Sequence, residues 1–202
     1  MELARIIIYG KMKNKWEGLR TNYSLSNSLS DIIKFMQNDM IKAKEELWNI
    51  RSNDLPFSTI EEAIILASII EKETSVGLER KETSGVFVNR LRIGMPLQTD
   101  PTVIYAITKG KHEDNGKGPL GRRLLKKDLK IDSPYNTYKY KGLPPAPIAN
   151  PGKLSIEAAL NPETHKYLYF VADGTGGHAF GKTLKEHNNN VAKWRKIRNS
   201  KN

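Results

Sequence analysis

The sequence contains no cysteine. Disulfides and thiolate metal sites are therefore excluded, while the compartment stays open, because many exported bacterial proteins carry no disulfide. Long apolar runs are missing too. No window approaches the roughly 18 consecutive apolar residues that read as a membrane-spanning helix. The opening MELARIIIYGKMKNKW offers only Ile6, Ile7 and Ile8 in a row, too short for the h-region of a signal peptide. As written, the sequence carries no export signal. Internal repeats are absent, and acidic residues are few, 22 against 33 Lys and Arg, for a formal charge of +11. That excess suggests an acidic partner: nucleic acid, an anionic membrane surface or an anionic polymer. Charge alone does not choose among them.

What remains is ordinary globular material, 38% hydrophobic and 27% charged. Its 202 residues suffice for one good-sized core plus a small appendage. Residues 1–27 show no clear period and are expected to be a truncated or irregular lead-in. From Ser30, a plausible N-cap, Ile33, Met36, Met40, Ala43, Leu47 and Ile50 recur at spacings of three and four, one face of a helix ending near Asn53 to Pro56. Thr59 and Glu62 fit a capping box for a second helix, with a stripe Ile60, Ile64, Ala67, Glu71. Residues 79–93 predict a third helix, closed by Gly94. Asp100 and Pro101 read as N-cap and first residue of a short fourth helix through Ile107.

Residues 110–130, rich in Gly, Lys and Arg, predict an exposed loop, and the Pro-rich stretch 133–152 an extended surface segment. A short helix is expected over Ile156 to Leu160. The β-branched and aromatic run 165–173 predicts a strand, with GTGG turning the chain toward HAF. A last helix carries Leu184, Val191 and Trp194 and dissolves into a basic tail. The sum is an α+β fold, helix-rich, with a small β-sheet, as a single domain over 28–202.

The most informative stretch is ILASIIEKETSV, residues 65–76: a nearly unbroken apolar run that ends in Glu71, Lys72 and Glu73. At the reference value of about 4.3, a glutamate is protonated roughly once in 500 molecules at pH 7. A general acid needs a value nearer 6 or 7, which apolar burial supplies at a cost of about 2.7 kcal/mol for two units. The stripe places Glu71 for such a shift, while Lys72 diverges from it by about 100°. The plainer reading has Glu71 and Glu73 starting the solvated end of a helix and pairing with Lys72 or Arg80.

ASIIEKET, VFVNRLRIGMPLQTDPTVIYA, SPYNTY, GLPPAPIANPG and YLYFVADGTGGHAF occur in one order over about residues 28–197. In these blocks the chain resembles the YceG-like (MltG) endolytic murein transglycosylases. The resemblance implies a YceG-like catalytic domain over 28–202 that cuts peptidoglycan strands internally at the MurNAc–GlcNAc bond, leaving a 1,6-anhydro-MurNAc end and terminating strand elongation. It implies a lytic transglycosylase, a carbon–oxygen lyase, with Glu71, the first glutamate of EKET, as its catalytic acid. A glycosidase uses two carboxylates. In a lytic transglycosylase the substrate's own C6 hydroxyl attacks the anomeric carbon, so one acid protonates the leaving oxygen and then takes the hydroxyl's proton.

For substrate binding the same blocks supply Gln98, Thr99 and Asp100 of LQTDP, with Asp100 doubling as a helix cap. Asn89 and Arg90 of NRL follow, Arg90 either holding a muramyl peptide carboxylate or pairing with a nearby acid. Tyr135, Asn136, Thr137 and Tyr138 offer stacking faces, donors and acceptors, or else form a turn. Glu73, turned about 200° from Glu71, is a secondary candidate. No cofactor is expected, and no metal, since His112, His165, His178 and His187 show no i, i+4 pair.

By resemblance, the partners are peptidoglycan glycan strands and the penicillin-binding synthases of the elongation machinery, at the plasma membrane with the domain on its periplasmic side. Such proteins usually begin with a cytoplasmic stub, one membrane-spanning helix and a LysM-like module, none of which is legible here. Two other readings stand. One is a lysozyme-like hydrolase using Asp100 as second carboxylate. The other is an inactive basic module binding peptidoglycan, or nucleic acid through RRLLKKDLK (122–130) and KWRKIRNSK (193–201), although the first of these lacks an interleaved aromatic platform.

Overall fold

A computed structural model describes residues 29–111 and 119–200; the expected lead-in 1–27 and His112 lie outside the described residues. Among these are six α-helices, two short 3₁₀ turns and one two-stranded sheet. The helices are α1 (Leu29–Asn49), α2 (Ile60–Glu73), α3 (Arg80–Arg92), α4 (Asp100–Thr108), α5 (Lys153–Leu160) and α6 (Leu184–Ser200). Strands β1 (Tyr169–Ala172) and β2 (His178–Gly181) pair antiparallel, Tyr169 opposite Gly181 and Ala172 opposite His178. The helix-rich α+β expectation holds.

Helix α2 is the axis of the core. Its capping box forms as the sequence predicts: Glu62 N–H donates to Thr59 Oγ1, and Thr59 N–H to Glu62 Oε2. Ala63, Leu66, Ala67, Ser68, Ile69 and Ile70 are all fully enclosed, so the stretch 66–70 is buried on every side. Each large aliphatic side chain enclosed there stabilises the fold by about 1.5–3 kcal/mol. Such a helix needs covers, and it has them in α5, α3 and α4.

The Pro-rich segment 133–152 has no regular hydrogen bonding, as expected, yet it is not a loose surface strand. Ser68 Oγ accepts from the Ile148 N–H (3.0 Å), and Ile148 and Ala149 are buried against the core. A hydroxyl inside the apolar stretch 63–70 thus satisfies a backbone donor that would have no water. The segment then delivers Gly152 to the start of α5.

Helix α3 is tied to the lead-in of β1 by polar side chains. Asn89 Nδ2 donates to His165 O and Tyr167 O, and Arg90 Nε to Leu168 O (2.6 Å). The approach is close: a Cβ on Gly85 would lie 2.4 Å from Glu163 O. These carbonyls bind side chains of α3, which is why the predicted strand 165–173 shortens to Tyr169–Ala172. Phe170 packs edge-on against Phe87 of α3 (centroids 5.7 Å). Helix α6 covers the hairpin, and it stays helical to Ser200 where a basic tail was expected.

Candidate active site

Leu66, Ile69 and Ile70 lie on the most enclosed part of α2, and steps of three and four from them lead to Glu73. The stripe expected from spacing runs instead through Ile60, Ile64 and Ala67 to Glu71. Ile60 and Ile64 are only half-buried. Each glutamate of EKET therefore meets its own surroundings.

Glu71 is half-buried and faces the start of α5. Its Oε2 accepts from the Gly152 N–H (3.1 Å) and from Ser155 Oγ (2.7 Å). A carboxylate with two donors at a helix N-terminus is stabilised as the anion. Gly152 approaches closely: a Cβ there would sit 3.6 Å from the carboxylate.

Glu73 ends α2. After it Thr74 turns extended and its Oγ1 accepts from the Val76 N–H (3.0 Å), so the helix stops there and the chain doubles back. Glu73 as a residue is half-buried, and burial pushes its carboxyl up to about 7, helped by the negative charge of Asp100. Thr99 Oγ1, which donates to Glu73 Oε1, opposes the rise, as do the positive charges of His178 and Arg90. Burial wins, and at neutral pH about half of such carboxyls carry a proton.

The LQTDP turn places the groups around Glu73. Gln98 adopts a left-handed φ of 51°, its side chain exposed, and its N–H donates to Thr137 O (3.1 Å). Thr99 N–H donates to Thr137 Oγ1 (3.1 Å), which also meets Thr102 Oγ1 at 2.8 Å. Asp100, expected as the N-cap, is instead the first residue of α4, with Thr99 at the cap position and no side-chain capping bond. The reason is a better partner: Asp100 Oδ1 accepts from the Tyr138 hydroxyl at 2.6 Å. Burial, and then that bond, push the Tyr138 phenol far above its usual range.

Four expected binding residues serve the scaffold. Arg90 is buried, and its guanidinium donates to Leu168 O, Leu97 O (2.7 Å) and Pro96 O (3.3 Å), so it holds neither a partnering acid side chain nor an outward-facing fork. Asn89 is consumed by the 165–167 carbonyls. Asn136 is fully buried, its Nδ2 donating to Leu129 O and Ile131 O and its Oδ1 accepting from the Tyr138 N–H. Thr137 is buried with its hydroxyl shared between Thr99 and Thr102. Arg90, Asn136 and Thr137 are buried and Asn89 is half-buried, and internal hydrogen bonds leave these four little to offer a ligand. Tyr135 packs on Tyr105 (centroids 4.8 Å), beside a cavity of about 190 Å³ lined by Lys72, Pro101, Ile104, Tyr105 and Ile148.

Two groups at the site were not among the expected residues. Glu79 bonds both the backbone N–H and the ring of His178, and His178 is close enough to Glu73 for its charge to act there. The sequence held no periodic signal for either; His178 stood out only as a histidine after GTGG. Among the described residues no cluster of three or more His, Asp or Glu side chains is placed to hold a metal ion.

A carboxyl lifted to about 7 and held by the Thr99 hydroxyl, on a helix-rich α+β scaffold, defines a domain equipped for general acid–base chemistry. Residues 20–193 match the YceG-like family, and the chain belongs to it. It is 45% identical over 177 residues to an endolytic murein transglycosylase of Bacillus subtilis, covering 86% of this chain and 45% of that protein. A Streptococcus pneumoniae protein of the same description is 38% identical over 149 residues, covering 71% of this chain and 25% of its own. The crystal structure of a YceG-like protein from Listeria monocytogenes superposes with a TM-score of 0.64 at 39% identity, covering 83% of this chain and 51% of that one. The chain spans less than half the length of the curated relatives it matches.

Proposed function

We propose that this chain is the catalytic region of an endolytic lytic transglycosylase, cleaving the MurNAc–GlcNAc bond of peptidoglycan strands with Glu73 as the proton-transferring group. The observation that carries the reading is the carboxyl of the half-buried residue Glu73, pushed up to about 7 by burial at the end of α2. Protonated Glu73 gives its proton to the leaving glycosidic oxygen as the bond to the anomeric carbon breaks. The MurNAc C6 hydroxyl attacks that carbon, and its proton passes to the Glu73 carboxylate. The 1,6-anhydro bond closes, the acid is regenerated, and no water is consumed. An intramolecular nucleophile lowers the entropic cost of attack.

The resemblance assigns the acid to Glu71. Physical chemistry favours Glu73, because burial lifts its carboxyl, whereas Glu71 faces two donors that favour a carboxylate. Glu71 then acts as a positioning residue, tying the end of α2 to the start of α5. Tyr138, Asp100 and the exposed Gln98 remain at the rim as candidates for sugar hydroxyls. Nascent strands as substrate, and penicillin-binding synthases beside the periplasmic face of the plasma membrane as partners, belong to the same reading through the family; no described helix is long and apolar enough to cross a membrane.

One observation favours a second reading, a lysozyme-like hydrolase: Asp100 stands near enough to raise Glu73 by its charge. Products separate the two. Purified strands digested by the protein and read by mass spectrometry should end in anhydro-MurNAc; reducing ends would favour the hydrolase.

A further inference from the structure

Lys72 lies between the two glutamates of EKET, and on a helix it points about 100° away from each. On its side is the cavity of about 190 Å³ between the last turn of α2, α4 and Ile148 of the Pro-rich segment. Pro101, Ile104, Tyr105 and Ile148 give it apolar walls. Lys72 and Lys111 also line it, and none of its described lining residues is acidic. Both lysines are exposed, so their stems close the walls while the ammonium groups stay at the mouth. The Thr108 hydroxyl is already used within the fold, donating to Ile104 O (2.9 Å) and accepting from the Gly110 N–H (3.3 Å). A third cation is near, for Lys109 stands 5.5 Å over the ring of Tyr135, which packs on Tyr105. Such a cavity fits an anion that carries small apolar groups. Its volume is below the roughly 300–1,000 Å³ that takes a whole small molecule, so it suits the end of a chain.

The cavity shares its elements with the candidate acid. Glu73 follows Lys72 on α2, and Thr99, which donates to Glu73, and Asp100 directly precede Pro101. Ile104 is one turn of α4, about 6 Å, beyond Asp100. An extended peptide gains about 3.3–3.6 Å per residue, so a few residues hanging from a sugar at Glu73 cover one or two such turns. The peptide on the lactyl group of MurNAc ends in a carboxylate. Arg90, the cation expected for it, is buried and donates to Leu168 O and Leu97 O. A carboxylate bound beside the acid therefore needs other cations.

We propose that the cavity between Lys72 and Lys111 is a subsite for the peptide stem of the strand. The two ammonium groups take its terminal carboxylate, and Pro101, Ile104, Tyr105 and Ile148 take its small apolar side chains. This rests on the chain acting on peptidoglycan. It makes peptide-bearing strands better substrates than strands stripped of their peptides.

The test compares purified strands with and without their peptides, using the full chain and the variants Lys72→Met and Lys111→Met, which keep the stem and delete the charge. On peptide-bearing strands each variant should raise KM about three- to tenfold with kcat little changed, the scale of one charged contact. On stripped strands KM should match the parent's, which should itself be higher there. Lys185→Met, which removes a charge from α6, is the control and should change neither. Independently of turnover, a soluble stem pentapeptide added to Glu73→Gln should shift the NMR signals of Ile104, Tyr105 and Lys111, and its C-terminal amide should bind several-fold more weakly. Equal KM changes on both kinds of strand, pentapeptide shifts away from the cavity, or inorganic phosphate binding as well as the peptide would overturn the subsite while leaving Glu73 as the acid. An active Glu73→Gln would overturn the acid and leave pentapeptide binding as the measure of the subsite.

Discussion

The Thr99 hydroxyl donates to the Glu73 carboxyl across the gap between α2 and α4, and it works against the burial that lifts that carboxyl to about 7. A bond to the ionised form favours ionisation, so its removal must raise the acid further. Thr99→Val keeps the volume and deletes the donor. The alkaline limb of the activity profile should shift upward, and Thr99→Ser should restore the parental profile. A downward shift in Thr99→Val would contradict the assignment of causes.

The same lifted value has a consequence for stability. Glu73 sits at about 7 in the folded protein against an ordinary 4.5. Below the ordinary value the group is protonated whether the chain is folded or not, and it contributes no pH dependence. As pH rises through about 7 the folded state must hold an anion that burial disfavours, so stability is lost over that window. Glu73→Gln removes the penalty. Its Tm should match the parent's in acid and exceed it above neutrality, by up to about 3 kcal/mol of unfolding free energy. Equal melting curves at both ends of the range would show that Glu73 is not lifted.

Ser68 is the one hydroxyl in the apolar stretch of α2, and it anchors Ile148. Ser68→Ala leaves a buried backbone donor unpaired and should cost about 1–3 kcal/mol of stability, read as a lower Tm. A change within a few tenths of a kcal/mol would mean that the segment 133–152 is held by its apolar contacts alone.

Much of this architecture was legible in the residues. The Thr59 capping box, the Gly94 stop and the turn at GTGG are local signals, and each is observed where the chain places it. Local signals fail where a distant group competes. Asp100 looked like a cap and became a partner of Tyr138, 38 residues away. Asn89, Arg90, Asn136 and Thr137 looked like ligand-binding groups because they are polar residues within recognisable blocks. Burial shows that their hydrogen bonds serve carbonyls and hydroxyls of the fold. The choice between Glu71 and Glu73 turned on which stripe of α2 is enclosed. A stretch buried all round, as residues 66–70 are, has no single stripe, so spacing alone could not decide.

The most direct measurement compares Glu73→Gln and Glu71→Gln on purified glycan strands, with both variants first shown to melt cooperatively. Glu73→Gln should release no anhydro-muropeptides. Glu71→Gln should keep measurable activity, because an amide oxygen still accepts from the Gly152 N–H or the Ser155 hydroxyl. Release by Glu73→Gln within a few-fold of the parent, with Glu71→Gln silent, would contradict the account.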